Sequence, residues 1–201
     1  MTSPLKGIPM KVRSHLLMVA SLLCTGVGAA LAQSTEDSAS QKMVPSLLAD
    51  LARYQDDEKH VATNIATFDT LDFDVFTNQK WDRLHESHSK DVIVHWPDGH
   101  QTKGIDVHIA DLKAMFVYAP DTRIQVHPVK FGQGEWTAVI GVMEGTFTRP
   151  MPVGDGKTIA PTGKSFKLTM ATVGHWMGNV MDEEYLFWDN ATYLKQLGLA
   201  P

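Results

Sequence analysis

Apolar positions take helical spacing in the first half of this chain and strand-like runs in the second. Val61, Ile65, Phe68 and Leu71 recur at i, i+4, i+7 and i+10, one face of an amphipathic helix. Ahead of them, residues 44–54 suit one short helix opened by Pro45 and Ser46. Residues 33–42 are rich in Ser, Gln and acids and have too little apolar content to order themselves. A shorter helix is expected around Trp81 and Leu84. Residues 91–96, Asp-Val-Ile-Val-His-Trp, are β-branched and read as a strand ended by Pro97-Asp98-Gly99. Ile105, Ile109, Leu112, Met115 and Phe116 mark the next helix, which Pro120 terminates.

Beyond Pro120 the pattern predicts antiparallel sheet, with strands over 122–131, 135–148, 166–176 and 180–188. Gly132-Gln133-Gly134 and Met177-Gly178-Asn179 are the tight turns between them. The link over 149–164 is long and rich in Pro and Gly, as lids and interface loops often are. A short helix closes the chain around 191–197. Helices, one strand, a helix and a meander make an α+β fold, its helices gathered on one face of a curved sheet. Such a sheet and its helices form a cone whose mouth is a natural pocket.

Both faces of the strand over 135–148 are apolar. One carries Ala138, Ile140 and Val142 with Glu144, and the other carries Val139, Gly141, Met143 and Phe147. A sheet with one wet face should alternate apolar with polar. The second face therefore calls for a cover, and a second copy packed sheet to sheet supplies one. A homodimer through that face is expected.

Residues 1–32 follow a different pattern. Lys6, Lys11 and Arg13 precede an apolar run over 16–23, and small residues lead to Ala30-Leu31-Ala32. This is the layout of a cleaved secretory signal ending at Ala32. The run falls short of the roughly 20 apolar residues that span a bilayer, so no membrane span is expected after cleavage. Residues 33–59 would then be a flexible N-terminal segment with a short helix, and 60–201 the folded domain. An exported, periplasmic protein is expected, which loses Cys24 and His15 with the signal.

Composition narrows the chemistry. Of 201 residues, 18 are Lys or Arg and 23 are Asp or Glu, a net charge of −5. That balance suits nucleic acid poorly, since its phosphates are held by Lys and Arg. One Cys allows no internal disulfide, and its loss with the signal excludes a thiol nucleophile. No phosphate loop, GxSxG elbow or HExxH stretch occurs. Nine His remain to be explained.

The local motifs resemble the SnoaL-like polyketide cyclase (ester cyclase) family, within the nuclear transport factor 2-like superfamily of cone-shaped α+β folds. They are Asp91-Val-Ile-Val-His-Trp-Pro-Asp-Gly99, Thr102-Lys103-Gly104 opening a helix, and Pro161-Thr-Gly-Lys-Ser-Phe166. The finish, Glu183-Glu-Tyr-Leu-Phe-Trp-Asp189 then Leu194-Lys-Gln-Leu-Gly198, matches the family's last strand and closing helix. The resemblance covers about residues 61–199 and implies acid–base catalysis by a His and an Asp, with no metal and no cofactor. Counted from the Gln-Leu-Gly end, those two positions hold Thr172 and Leu186, neither of which can transfer a proton in that role. The resemblance thus implies the fold and not the established cyclase mechanism.

Other residues must carry any chemistry. His95, Trp96, Asp98 and His100 stand together at a strand end. His95 is the candidate acid–base residue, with Asp98 orienting it; alternatively it is a satisfied core histidine and the others shape a turn. Asp182, Glu184, Leu186 and Trp188 share a strand face, which the resemblance places inside the cone. Glu184 is then a general base in an apolar pocket, paired with His95. Trp96, His100, Glu144, Thr172 and Trp188 are the expected substrate contacts, and Trp176 stands with the first and last of these near a strand end. Glu144 could instead pair with a Lys or Arg. His95, His100, His108, His127 and His175 have metal-ligand chemistry but no recognised spacing, so no metal is expected. His60, His85 and His88 read as surface helix residues. The function expected is a cofactor-independent enzyme doing cyclisation, isomerisation or hydration on a small hydrophobic carbonyl or ester compound. The alternative is a non-catalytic binder of hydrophobic small molecules.

Overall fold

Residues 29–201 are described by a computed structural model, with side chains from Met43 onward. Most of the expected signal, residues 1–28, lies outside the described residues. Internal contacts divide the chain into Met1–Ser46 and Leu47–Pro201. Where two short helices were expected, one helix α1 runs Ala29–Thr70, with Pro45 inside it. The stretch between the expected helices, residues 55–60, holds no Gly or Pro to stop a helix. Its charges pair at i,i+3, as Lys59 does with Asp56 at 2.9 Å.

The chain leaves α1 through one wide π-helical turn, Leu71–Phe76, whose register is marked by Thr77 N–H donating to the Asp72 carbonyl five residues back at 3.3 Å. A 3₁₀ turn, Trp81–Glu86, follows. Then come β1 (His88–His95), β2 (Gln101–Lys103) and α2 (Ile105–Tyr118). The sheet continues with β3 (Arg123–Ile124), β4 (Val129–Gln133) and β5 (Trp136–Thr146). After a small separate hairpin, β6 (Met151–Pro152) with β7 (Thr158–Ile159), come β8 (Ser165–Met177), β9 (Val180–Trp188) and α3 (Asn190–Leu197). Asp189 caps α3 by accepting from the Ala191 and Thr192 amides. Gly198 ends it at φ 75°, the left-handed position glycine fills without strain.

The α+β class holds. The strand order is β2-β1-β9-β8-β5-β3, with β4 also on β5; β2 and β3 are open edges, so the curled sheet does not close into a barrel. The meander is antiparallel, from Trp136 opposite His175 to Thr146 opposite Ser165 between β5 and β8. The β1–β9 pairing is parallel, which the meander pattern did not anticipate. Strand β1 also starts earlier than expected, at His88, because the 3₁₀ turn ends at Ser87.

Alternation along β5 sorts its faces as expected. Val139, Met143 and Phe147 are buried under the helices, and Ala138, Ile140 and Val142 stay partly exposed on the outer face. Phe116 of α2 and Ala119 just past its end meet Met143 and Leu168 in one core cluster, and Phe68 and Leu71 meet Val139 and Trp176 in another. The Pro/Gly-rich link packs on the core rather than over the cavity. Its β6 and β7 place Met151 and Ile159 against the core, and none of its residues lines the cavity described next.

Candidate active site

Between the inner sheet face and the helices lies an apolar cavity of about 50 Å³. The π-helical turn contributes Leu71, Asp72 and Phe76. Strand β1 contributes His88, and α2 contributes His108, Leu112 and Met115. Thr172 of β8 and Glu184, Leu186 and Trp188 of β9 form much of the sheet wall, with Trp96 just past β1. A buried water needs roughly 10–15 Å³ measured this way, so the cavity holds a few small groups and a larger ligand must displace side chains. Met115, Met143 and Met170 in the wall are unbranched and can give way.

Three polar residues meet in this wall. His88, His108 and Glu184 are 2%, 2% and 4% exposed. Glu184 Oε2 is 3.4 Å from His108 Nε2 and 3.7 Å from His88 Nε2. Both distances exceed or sit at the edge of hydrogen bonding, and Glu184 Oε2 and His88 Nε2 have no hydrogen-bond partner. Burial pushes His108 down to about 4, so its ring is neutral at physiological pH. Burial opposes the charge on Glu184, but the neighbouring His88 and His108 outweigh it and hold the carboxyl below its usual value. The Ser87 hydroxyl sits 2.9 Å from His88 Nδ1 and 3.1 Å from the Leu84 carbonyl.

A second polar group reaches the cavity from the other side. Asp72 Oδ2 is 2.7 Å from His127 Nε2, and Asp69 Oδ1 is 2.8 Å from His127 Nδ1. Both nitrogens face a carboxylate, so satisfying both requires a doubly protonated ring. Burial opposes that charge, and Asp72 and Asp69 together raise the His127 pKa above its usual value. Burial pushes Asp72 upward. Lys130 contacts Asp69 at the outer end.

The expected pair of His95 and Glu184 does not form. In the parallel β1–β9 ladder Val94 lies opposite Glu184, and His95 lies opposite Tyr185. Glu184 therefore points into the cavity, and His95 points to the outer face. There His95 Nε2 meets Glu183 Oε1 at 2.7 Å, Nδ1 meets Gln101 at 2.8 Å, and the ring stacks on Tyr185 at 3.9 Å. Asp98 does not orient His95. It contacts exposed His100 on the turn, and neither lines the cavity. Glu144 is no pocket acid either; it pairs with Arg123 and Lys167, both at 2.9 Å. Asp182 leaves the Glu184 face at a bulge and binds His175 Nδ1 at 2.6 Å.

Trp96, Thr172, Leu186 and Trp188 line the cavity with Glu184. The Trp96 and Trp188 rings meet edge to face, 6.3 Å between centroids. Trp176 instead is core, 1% exposed, donating to Thr137 Oγ1 at 2.8 Å. His88 is the clearest correction: it is a buried strand residue, not a surface helix residue. Its spacing from His85 looks helical, but the chain changes from 3₁₀ turn to strand between them. Asp72 was overlooked because it stands one residue past the apolar face that ends at Leu71.

The family model described as SnoaL-like polyketide cyclase matches residues 68–197. No curated protein matches. Among solved structures, one described as a SnoaL-like polyketide cyclase from Jannaschia sp. CCS1 superposes with a TM-score of 0.61 at 18% identity. It covers 71% of this chain and 96% of that one. IdmH from Streptomyces antibioticus, described as a polyketide cyclase, gives 0.57 at 21% identity, with 67% and 98% covered. A protein from Catenulispora acidiphila with a ketosteroid isomerase-like fold, solved with trimethylamine, gives 0.53 at 13%, with 69% and 93% covered. At these identities the likeness is one of fold.

Proposed function

Given that this chain belongs to the SnoaL-like polyketide cyclase family, we propose that it is an enzyme performing acid–base chemistry on a small hydrophobic carbonyl or ester compound. Glu184 is the base, with His108 and His88 beside it. One observation carries this: a buried carboxylate with an unpaired oxygen lines a mostly apolar cavity, two imidazoles within 3.7 Å. A carboxylate stripped of water takes a proton from carbon more readily than a solvated one. The adjacent imidazoles can stabilise the enolate that results or return a proton to it. Aldol cyclisation and isomerisation begin with such a step, and addition of water to an α,β-unsaturated carbonyl passes through the same enolate.

The test needs no knowledge of the product. The protein is incubated in D₂O with a panel of small 1,3-dicarbonyl compounds and esters, and exchange at the α-carbon is followed by NMR. Catalysed exchange that Glu184→Gln suppresses supports the proposal. Binding without exchange makes the protein a binder of hydrophobic small molecules instead, and exchange indifferent to Glu184 removes the assigned base.

Two further expectations join this reading. Removal of residues 1–32 would place the enzyme outside the cytoplasm, the periplasm being the compartment that the signal layout favours. A homodimer would use the outer sheet face. Its support is a contiguous apolar strip there: Ile140 lies opposite Ala171, which lies opposite Phe187, and Ala138 lies opposite Val173. None of these is buried within one chain.

A further inference from the structure

We propose that His88, His108 and Glu184 form a binding site for a first-row divalent cation, with zinc the ion whose preferences they match. This goes beyond the acid–base reading, and the family resemblance implies no metal. Two imidazoles and one carboxylate are a common donor set for zinc that keeps an open position for water or substrate. They come from three elements, β1, α2 and β9, and one donor atom from each lies within 4.8 Å of the others.

The spacing suits a shared ion. Ligands about 2.0–2.2 Å from a tetrahedral zinc stand about 3.4 Å apart. Glu184 Oε2 is 3.4 Å from one imidazole nitrogen and 3.7 Å from the other. These are too long for good hydrogen bonds.

The hydrogen bonds behind His88 allow a tautomer that leaves Nε2 free to bind an ion. The Ser87 hydroxyl donates its one proton to the Leu84 carbonyl at 3.1 Å. Ser87 Oγ can then only accept from His88 Nδ1–H, at 2.9 Å. In that tautomer the neutral ring carries its lone pair on Nε2, facing a carboxylate oxygen that also carries lone pairs. Neither atom has another partner, and both are buried. Two buried lone pairs face to face repel unless a positive charge lies between them. A cation bound by Nε2 and Oε2, and by His108 across from them, resolves the contact. A hydrogen bond from the far ring nitrogen is also how metal-bound histidines are usually held. The cavity beside the three residues has room for a water or a small ligand as a fourth partner.

The full chain, stripped with chelator, is titrated with ZnCl₂ by calorimetry and with CoCl₂ by visible absorption. One ion per chain is expected, with the d–d bands of low-symmetry cobalt. Glu184→Gln, His88→Ala and His108→Ala should each weaken binding by about a hundredfold or more. His100→Ala, which alters an exposed histidine, should not. Zinc should also raise the Tm of the wild type and leave that of Glu184→Gln unmoved. Glu184→Gln preserves side-chain shape, so it serves if the histidine variants fail to fold. The proposal is overturned by absence of tight binding in the wild type, or by binding that survives all three substitutions. It is also overturned if ¹⁵N NMR shows a His88 imidazolium indifferent to added zinc. Proton exchange without ion binding would keep the acid–base reading and sink this one, and ion binding without exchange would do the reverse.

Discussion

Glu183 and Glu184 are neighbours in the chain and serve opposite faces of one sheet. Glu183 Oε1 meets His95 Nε2 at 2.7 Å outside, and Glu184 Oε2 lies 3.4 Å from His108 Nε2 inside. Glu184→Gln should therefore lower α-proton exchange by about a hundredfold or more. Glu183→Gln and His95→Ala should leave it nearly unchanged. Initial rates by NMR decide, and a larger loss in His95→Ala would reverse the assignment.

His108 should make the protein acid-sensitive. Its folded pKa is pushed down to about 4 by burial, whereas an unfolded histidine titrates near 6.5. As pH falls, the unfolded chain takes up this proton first. Stability contributed by the neutral ring is present above about 6.5 and is lost toward about pH 4, about 3 kcal/mol in all. Urea unfolding across this range should show the loss, and His108→Gln should flatten it. An unaltered slope in that variant would assign the acid sensitivity elsewhere.

His127 works in the opposite sense. Asp72 and Asp69 raise its folded pKa, so its contribution is complete below about 6.5 and is lost as pH rises through the raised value. His127→Gln should cost about 3 kcal/mol in mildly acidic solution, because it leaves two carboxylates facing each other without the cation between them. The cost should shrink in alkaline solution. Denaturant midpoints at the two pH values test this, and equal costs would show that the ring carries no extra charge.

On the outer face, Ile140→Asp or Val173→Asp would put a charge in the proposed dimer contact. Each should turn a dimer into a folded monomer by sedimentation velocity, with circular dichroism unchanged. A wild type that sediments as a monomer would remove the dimer.

Signal cleavage is open to direct measurement. The protein expressed with its own N-terminus should be recovered from the periplasm starting at Gln33, read by intact-mass spectrometry. Recovery of an uncleaved chain from the cytoplasm would reject export.

Much of the architecture was legible because it rests on local pattern. Alternation put Val139 and Met143 on one face of β5 and Glu184, Leu186 and Trp188 on one face of β9, and the alternation of a single strand needs no partner to decide that. Turn glycines and Pro120 bounded the elements for equally local reasons. The site was only half legible. Glu184 and the two cavity tryptophans were found, but the histidines around Glu184 were assigned wrongly or left unranked. His95 seemed the natural partner because it lies in a motif-rich strand end. The parallel register of β1 on β9 turns it outward instead.

The chain by itself thus determined the order of helices and strands and which strand faces are apolar, and the resemblance added an acid on the inner face. Only the tertiary structure decided which groups meet that acid. His88 comes from a strand that begins one residue after a 3₁₀ turn, His108 from a helix, and Asp72 with His127 from the opposite wall. Sequence spacing constrains residues within one element, where backbone geometry is fixed. Convergence between elements depends on sheet register and on how the helices pack, and those are set by the summed burial of the whole core.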